Sequence, residues 1–417
     1  MDAQAPGPLP INPLPIDALE GIRVMEVSVA QVGPMTCELL AFFGAEVIRV
    51  ESLKRVDVTR TQRYLADQSP QGLDRMPMFN SLNLNKLGIR LDMSTPRGIE
   101  LARELVKQSD ILVENFSAGA VERLGLGYEV VKKLKPDIIM ASASGSGSRG
   151  PEAGMLGLAP IFVYLSGLAE MGGYPDGPPF EGRSSADSIN AYTLFFAIMS
   201  ALWHKQRTGR GQYIDYSSRE GLACIIGDSL MDFTMNGRAR SRNGNMDEAM
   251  APHNCYRCRG DDSWVSIAVS SEEEWLSLCR AVGHPEWAGQ ERFADAPARW
   301  RNQEEIDRLL ESWTVGHTPY EVMEALQRVG VAAVPSLTAA DIYTDPHLAE
   351  RGLLEVVDHP ELGAAPVFGC PWRLSDSPAR ISRPGPLFGE HNEYVFGELL
   401  GLSREEVSRL EGDRVIW

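Results

Sequence analysis

The sequence predicts an α/β protein with two domains. A strand from Ile22 to Val27, a helix from Met35 to Phe43 and a strand from Glu46 to Glu51 form a strand–helix–strand unit, and the same order recurs between residues 95 and 142. Such units build parallel sheets, because the helix carries the chain back to the edge at which the next strand begins. The chain has 417 residues, which is too long for a single ordinary core.

The second repeat begins with a helix from Thr95 to about Gln108. Buried strands are predicted at 110–116 and at 137–142, because both segments are short, apolar and bounded by polar residues. A Gly/Ser loop at 144–151 follows the second of them. Backbone N–H groups in such a loop can bind phosphate, although this composition alone is a weak signal.

A long apolar helix is predicted after residue 188. Its apolar residues recur at intervals of three and four, which indicates a wide buried face. They are Ile189, Tyr192, Phe195, Phe196, Met199, Leu202 and Trp203. Asp187 precedes them, at the N-cap or in the first turn, where the positive end of the helix should keep its carboxylate ionised at neutral pH. Many aspartates at this position only cap the helix, a role worth about 1 kcal/mol.

The second half of the chain predicts a smaller α+β domain. Residues 255–269 have the pattern of a hairpin, and helices are expected at about 272–282 and 302–329. Polar, glycine-bearing segments at 236–250 and 334–352 flank this region and predict two connections.

Composition and motifs disfavour several classes of protein. The net charge of −17 argues against a general nucleic-acid binder. The chain lacks a membrane-length apolar run and a signal-peptide pattern, so we expect a cytoplasmic protein without a membrane partner. Cys255 and Cys258 lack a second ligand pair at zinc spacing, so no metal is expected. Glu51 ends the second strand, where a dinucleotide-binding fold has its ribose-binding acid. The first turn, at 30–34, however reads AQVGP rather than GxGxxG, which disfavours a nicotinamide dehydrogenase.

Several spaced motifs resemble those of the family III CoA-transferases, the group that includes formyl-CoA transferase and carnitine CoA-transferase. In chain order they are LEGIRVMEVSVAQVGP (19–34), GAEVIRVE (44–51), LNLNKLGIRLDM (82–93), VENFSAGAVERLG (113–125), DGPP (176–179), QRTGRGQYID (206–215) and PLFGEHNEYV (386–395). The resemblance covers about residues 18–412, and motifs in the right order are far more specific than any one of them.

The resemblance implies a fold and an assembly. It implies a Rossmann-like large domain and a small α+β domain, with the large domain at 18–225 and 354–417, a linker at 226–250, the small domain at 251–333 and a second linker at 334–353. It also implies an interlocked ring dimer in which each chain threads the ring of the other. The partner would be a second copy of the chain or a related subunit.

The resemblance also places the family's nucleophilic aspartate at Asp187. A carboxylate can accept an acyl group as a mixed anhydride and then carry CoA as a thioester, as moving CoA between two acids requires. Gln31 matches a family glutamine near the reacting thioester. Coenzyme A is the implied co-substrate, and its contacts are matched here by Ala30, Val32, Leu91, Asn115, Phe116 and Arg123. Ser52 stands where formyl-CoA transferase has an arginine, and that enzyme's small-domain glycine loop is absent.

The expected donor is succinyl-CoA or a similar acyl-CoA, and the expected acceptor is a bulky or aryl-substituted carboxylic acid. Leu158 and Ala159 would form an apolar wall for such an acid, and the chain looks most like the benzylsuccinate CoA-transferase branch. Two alternatives stay open. An α-methylacyl-CoA racemase shares the fold, but Leu158 and Ala159 stand where it has a His–Asp pair, so its base is missing. A non-catalytic subunit of a heteromeric transferase would not need Asp187.

Overall fold

The computed structural model describes residues 17–61, 72–180, 182 and 185–417. They pack into two units. The first unit contains the described residues within 17–166, 182–226 and 347–417, and the second contains those within 167–180 and 227–346. The domain and linker boundaries given above stay predictions. No helix in this described part of the chain is long and apolar enough to cross a membrane.

A six-stranded parallel sheet forms the centre of the first unit. Its strands are β1 (Arg23–Val27), β2 (Glu46–Glu51), β3 (Leu87–Arg90), β4 (Ile111–Glu114), β5 (Ile139–Ser144) and β6 (Tyr213–Ser217). They lie in the order β3-β2-β1-β4-β5-β6, and every neighbouring pair is parallel. This is the strand order of the Rossmann fold, so the α/β prediction is confirmed. The order reverses between β1 and β4, where such sheets bind ligands beyond the carboxyl ends of their strands.

Helices cover both faces of this sheet. The helices of the first unit are α1 (Val32–Phe42), α2 (Val58–Thr61), α3 (Pro77–Asn80), α4 (Pro96–Lys107), α5 (Ala120–Arg123), α6 (Tyr128–Leu134), α7 (Ala159–Ser166), α9 (Ser185–Thr208), α10 (Ser218–Ala223), α17 (Pro346–Glu350) and α18 (Arg404–Gly412). Alternate strand residues point to opposite faces. Val24 therefore joins the core under α1 and α9, and Met25 joins the core under α4, α6 and α18.

The buried face of α9 differs from the predicted one. Asp187 lies in the first turn, as predicted, but Phe196 and Trp203 are 72% and 61% exposed. The buried residues are Ala186, Asn190, Ala191, Leu194, Ile198 and Ala201. The reason is the close crossing of α1, where the Thr36 hydroxyl donates a hydrogen bond to the Ala191 carbonyl oxygen at 3.1 Å. Such an approach of two backbones requires small side chains at the contact.

The second unit contains a three-stranded antiparallel sheet and several helices. The strands are β7 (His253–Arg257), β8 (Trp264–Ala268) and β9 (Ala332–Pro335), in that order. The helices are α8 (Leu168–Met171), α11 (Gly227–Asn236), α12 (Glu272–Ala281), α13 (Ala296–Arg301), α14 (Gln303–Thr314), α15 (Pro319–Gln327) and α16 (Ala339–Thr344). The predicted β7–β8 hairpin is present. The single helix predicted at 302–329 is two helices, because Thr318 and Glu321 form a capping box that begins α15.

A further hairpin and a fully buried group of charges complete the first unit. The hairpin consists of β10 (Leu354–His359) and β11 (Gly363–Phe368). The charged group, here called the Arg49 cluster, consists of Glu26, Arg49, Asp57 and Lys86, each at most 1% exposed. Arg49 forms ion pairs with Glu26 and Asp57, and the Lys86 Nζ lies 2.8 Å from Glu26 Oε2. Burial alone would raise the pKa of Glu26, but Lys86 and Arg49 outweigh it and lower that pKa.

Candidate active site

A cavity of about 320 Å³ lies at the carboxyl ends of β1, β4 and β5, beside the reversal of strand order. We call it the Asp187 cavity. It is lined by Val29, Ala30, Gln31, Val32, Asn115, Phe116, Ser117, Ala143, Ser144, Gly145, Met155, Leu156, Gly157, Leu158, Pro160, Phe162, Asp187 and Ser218. Gly145 is required in its wall, because a Cβ atom there would lie 1.8 Å from the ring of Phe162. The parallel sheet thus gathers residues from distant parts of the sequence at one edge.

Asp187 is held at this cavity by the well-anchored start of α9. Asn190, one turn further on, is buried, and its Oδ1 accepts a hydrogen bond from the Tyr216 hydroxyl at 2.8 Å. The Asp187 side chain is half-buried, and this burial raises its pKa. Desolvation disfavours the charged form of the carboxyl group, and the ionised state at neutral pH expected from the helix end stays a prediction. A more basic carboxylate is also a better nucleophile.

Gln31 lines the same cavity and contacts the same turn of α9. It immediately precedes α1 and is 9% exposed. Its Nε2 donates a hydrogen bond to the Ser188 hydroxyl at 3.2 Å, next to Asp187. The packing of α1 against α9 therefore brings the two predicted catalytic residues to one place.

The turn that leads into Gln31 has an unusual backbone. Ala30 adopts φ +61°, in the left-handed region that non-glycine residues rarely occupy. The side chain of Asn115, which follows β4, accepts from the Val29 N–H at 2.8 Å and donates to the Val29 carbonyl at 2.7 Å. Both ends of the Asn115 amide therefore hold the turn, and its predicted contact with CoA stays a prediction.

A second cavity of about 360 Å³, here called the Lys54 cavity, lies at the carboxyl ends of β1 and β2. Leu91 lies in its wall with Lys54 and Arg55, two basic residues that follow β2. The guanidinium of Arg55 lies 5.1 Å from the centre of the Phe116 ring. Val29 and Phe116 line both cavities, so the two adjoin.

Most of the predicted site residues therefore lie in these two cavities. Ala30, Val32 and Asn115 line the Asp187 cavity, Leu91 lines the Lys54 cavity, and Phe116 lines both. Arg123 is different: it is exposed on α5 and belongs to the lining of neither.

Sequence reasoning missed the basic pair Lys54 and Arg55. The signal was available, since both follow Ser52, the position that lacks the family's arginine, by two and three residues. The structure places them in the cavity that Ser52 also lines.

An apolar wall faces Asp187. Leu156 and Leu158 are 80% and 76% exposed, although both line the cavity. The segment 155–158 is not helical, and α7 begins at Ala159, whose side chain lies outside the described part of the chain. Two exposed leucines beside a carboxylate suit a ligand with both an apolar and a charged part.

The sequence profile of CoA-transferase family III matches residues 19–392. The chain belongs to this family. It is similar to the succinyl-CoA–D-citramalate CoA-transferase of Chloroflexus aurantiacus, with 34% identity over 402 residues that cover 95% of this chain and 98% of that protein. A formyl-CoA:oxalate CoA-transferase of Bradyrhizobium sp. is 32% identical over 414 residues, covering 94% and 96% of the two chains.

A solved structure also resembles this chain in fold. A crystal structure of a CAIB/BAIF family protein from Brucella suis superposes with a TM-score of 0.84 and 31% identity, covering 92% of this chain and 99% of that one. The family resemblance stated from the motifs is thus confirmed. This family III protein is a transferase enzyme, and CoA thioesters are the co-substrates of CoA-transferases.

Proposed function

We propose that this CoA-transferase moves CoA from an acyl-CoA donor to a carboxylic acid, with Asp187 as the nucleophile. A carboxylate oxygen of Asp187 attacks the thioester carbonyl of the donor, and the C–S bond breaks to give a mixed anhydride and CoA thiolate. The thiolate then attacks the aspartyl carbonyl, which frees the donor acid and leaves an aspartyl-CoA thioester. No proton needs to be transferred in these steps.

The acceptor acid runs the same steps in reverse. Its carboxylate attacks the aspartyl thioester and releases CoA thiolate, giving an anhydride between Asp187 and the acceptor. The thiolate attacks the acceptor carbonyl of that anhydride, which yields the new acyl-CoA and restores the Asp187 carboxylate. Each attack creates an oxyanion, and the Gln31 amide is the side-chain donor that we assign to it.

The observation that carries this proposal is the convergence of Asp187 and Gln31 in one cavity that adjoins a second, basic one. An acyl-CoA is long, with a reactive thioester at one end and phosphates at the other. We place the thioester in the Asp187 cavity and the phosphorylated end near Lys54 and Arg55, with the molecule passing Phe116, which lines both cavities. Guanidinium groups bind phosphate in a bidentate manner.

Arg55→Ala tests this placement of CoA. We expect KM for the acyl-CoA to rise about tenfold, because one charge-assisted hydrogen bond to phosphate is lost, and kcat to change less than twofold, because the contact is remote from the thioester. Steady-state kinetics of Arg55→Ala and Arg123→Ala should show which of the two arginines binds the phosphates of CoA. A rise in KM for Arg123→Ala with none for Arg55→Ala would move the phosphate site to α5.

We further propose that the acceptor is a bulky or aryl-substituted acid, as in the benzylsuccinate branch, and that succinyl-CoA or a similar acyl-CoA is the donor. The exposed Leu156 and Leu158 support this choice, because a ligand with a hydrophobic side group would cover them, whereas formate or oxalate would not. The name of the Chloroflexus relative, which includes succinyl-CoA, supports the donor.

A panel of acids assayed with succinyl-CoA tests the acceptor class. Alkyl- or aryl-substituted succinates should give the highest kcat/KM, and Leu158→Ser should lower that value about tenfold while leaving oxalate unaffected. Leu362→Ser, an exposed leucine after β10 and outside both cavities, is the matched control. A higher kcat/KM for oxalate or formate than for every substituted acid would overturn the assignment of the acceptor, and it would leave the proposed role of Asp187 unaffected.

We also propose that the enzyme works in the cytoplasm as an interlocked dimer, with a second copy or a related subunit as its partner. The exposed Phe196 and Trp203 on α9, and Leu230 and Met235 on α11, support a partner that covers them. Light scattering of the purified chain should give about twice 45.9 kDa. A monomer that gains activity only with a related subunit would select the heteromer, and an active monomer would exclude both.

A further inference from the structure

The strained turn before Gln31 is held by two side chains that the proposed chemistry does not use. Ala30 adopts φ +61°, a left-handed conformation that alanine does not favour, and its methyl side chain has no hydrogen-bonding group that could stabilise it. Asn115 holds the preceding residue through both the N–H and the carbonyl of Val29. The carboxylate of Asp57 accepts the Ala30 N–H, with its two oxygens at 3.2 and 3.3 Å.

Asp57 is itself fixed from several directions. It is 1% exposed and forms an ion pair with Arg49, which is fully buried. One of its oxygens also accepts the N–H and the hydroxyl of Thr59, both at 2.7 Å. A carboxylate with so many buried partners cannot rotate away, so the Ala30 N–H meets an acceptor at a set position.

Gln31 depends on this turn because it is the next residue. The backbone torsions of Ala30 determine where the Gln31 side chain leaves the chain. If Ala30 relaxed to an ordinary negative φ, Gln31 Nε2 would leave its present position 3.2 Å from the Ser188 hydroxyl, beside Asp187. Asp57 lines the adjoining Lys54 cavity but not the Asp187 cavity, so its contacts reach Gln31 only through the turn.

We propose that Asp57 and Asn115 are positioning residues: together they hold Val29 and Ala30 in the conformation that directs Gln31 at the first turn of α9. This inference rests on the proposed function, since it assigns Gln31 to the reacting carbonyl. Because Asp57 belongs to the Arg49 cluster, the proposal connects that buried cluster to the rate of the chemical step.

A double-mutant cycle between Asp57→Asn and Gln31→Ala tests it, with kcat as the readout. Asp57→Asn alone should lower kcat at least tenfold, because an amide nitrogen must now face either the Ala30 N–H or the Arg49 guanidinium. In the Gln31→Ala background the same substitution should change kcat less than twofold, because no Gln31 side chain remains to be misdirected. Loss of structure alone would act equally in both backgrounds.

Two further variants keep the test decisive. Asn115→Ala, which leaves the Arg49 cluster intact, should show the same non-additivity with Gln31→Ala, and it replaces Asp57→Asn if that protein does not fold. Asp74→Asn is the matched control: it removes a carboxylate 2.6 Å from the buried Arg60 but touches neither Val29 nor Ala30, and kcat should stay within twofold.

The result that overturns the proposal is an equal loss of kcat in the two Gln31 backgrounds, or no loss in either single variant. Asp187→Ala, assayed in parallel, reports on the proposed function separately. If that variant keeps its activity, the nucleophile is wrong, whatever the cycle shows.

Discussion

Replacing Asp187 with alanine is expected to abolish CoA transfer while the protein stays folded. The loss should be about 10⁴-fold or more in kcat, because without the carboxylate no anhydride and no aspartyl thioester can form. Structural damage should be small. A first-turn aspartate contributes about 1 kcal/mol to a helix, and α9 is anchored independently through Asn190 and Tyr216. Steady-state transfer from succinyl-CoA, measured together with thermal unfolding, gives both quantities.

Asp228→Asn is the matched control for this experiment. Asp228 also lies in the first turn of a helix, α11, and forms an ion pair with Arg240 at 2.6 Å, but it is outside both cavities. Its substitution should leave kcat within about threefold, because Asp228 lies outside both cavities. Stability should change little as well, because an exposed ion pair contributes little. A substantial residual activity in the Asp187 variant, with the control also active, would remove Asp187 from the mechanism.

Replacing Arg49 with methionine should cause the largest loss of stability that we predict. Methionine is close to arginine in length, but it leaves the buried carboxylates of Glu26 and Asp57 without their shared cation. Removing one partner of a buried ion pair typically costs about 3–5 kcal/mol, since the remaining charges stay out of water. Unfolding in urea, followed by fluorescence, should show a correspondingly lower midpoint.

Arg97→Met tests whether burial is the cause. Arg97 also binds two carboxylates, those of Glu100 and Glu406 at 3.1 and 2.8 Å, but its side chain is 40% exposed. The loss there should be below about 1 kcal/mol, because solvent screens such pairs. Equal losses for Arg49 and Arg97 would show that the Arg49 cluster is no more important than a surface ion pair.

The sheet could be predicted from sequence because its signals are local. The strands β1, β2, β4 and β5 belong to strand–helix–strand units that have their own turn residues, so their parallel arrangement follows from the order of the elements. The buried face of α9 could not be predicted in the same way. Apolar residues surround that helix almost completely, and the face that packs was decided by the crossing of α1 near Ala191.

The site was predictable where it lies on a motif and not where it depends on contacts across space. Asp187 and Gln31 follow from motifs, and both line one cavity. The left-handed backbone of Ala30 has no signal in the sequence, because the residue that usually marks such a position is glycine or asparagine. The link from Asp57 to Ala30 spans 27 residues and exists only once β1 and β2 are paired.

The most direct test of the account is to trap the covalent intermediate on the enzyme. The wild-type protein is incubated with succinyl-CoA, treated with hydroxylamine or left untreated, digested, and analysed by mass spectrometry. The account predicts CoA attached through a thioester to the peptide that contains Asp187, its conversion to the hydroxamate by hydroxylamine, and neither product in Asp187→Ala. An unmodified Asp187 peptide from an enzyme that is actively transferring CoA, or a label on another residue, would contradict it.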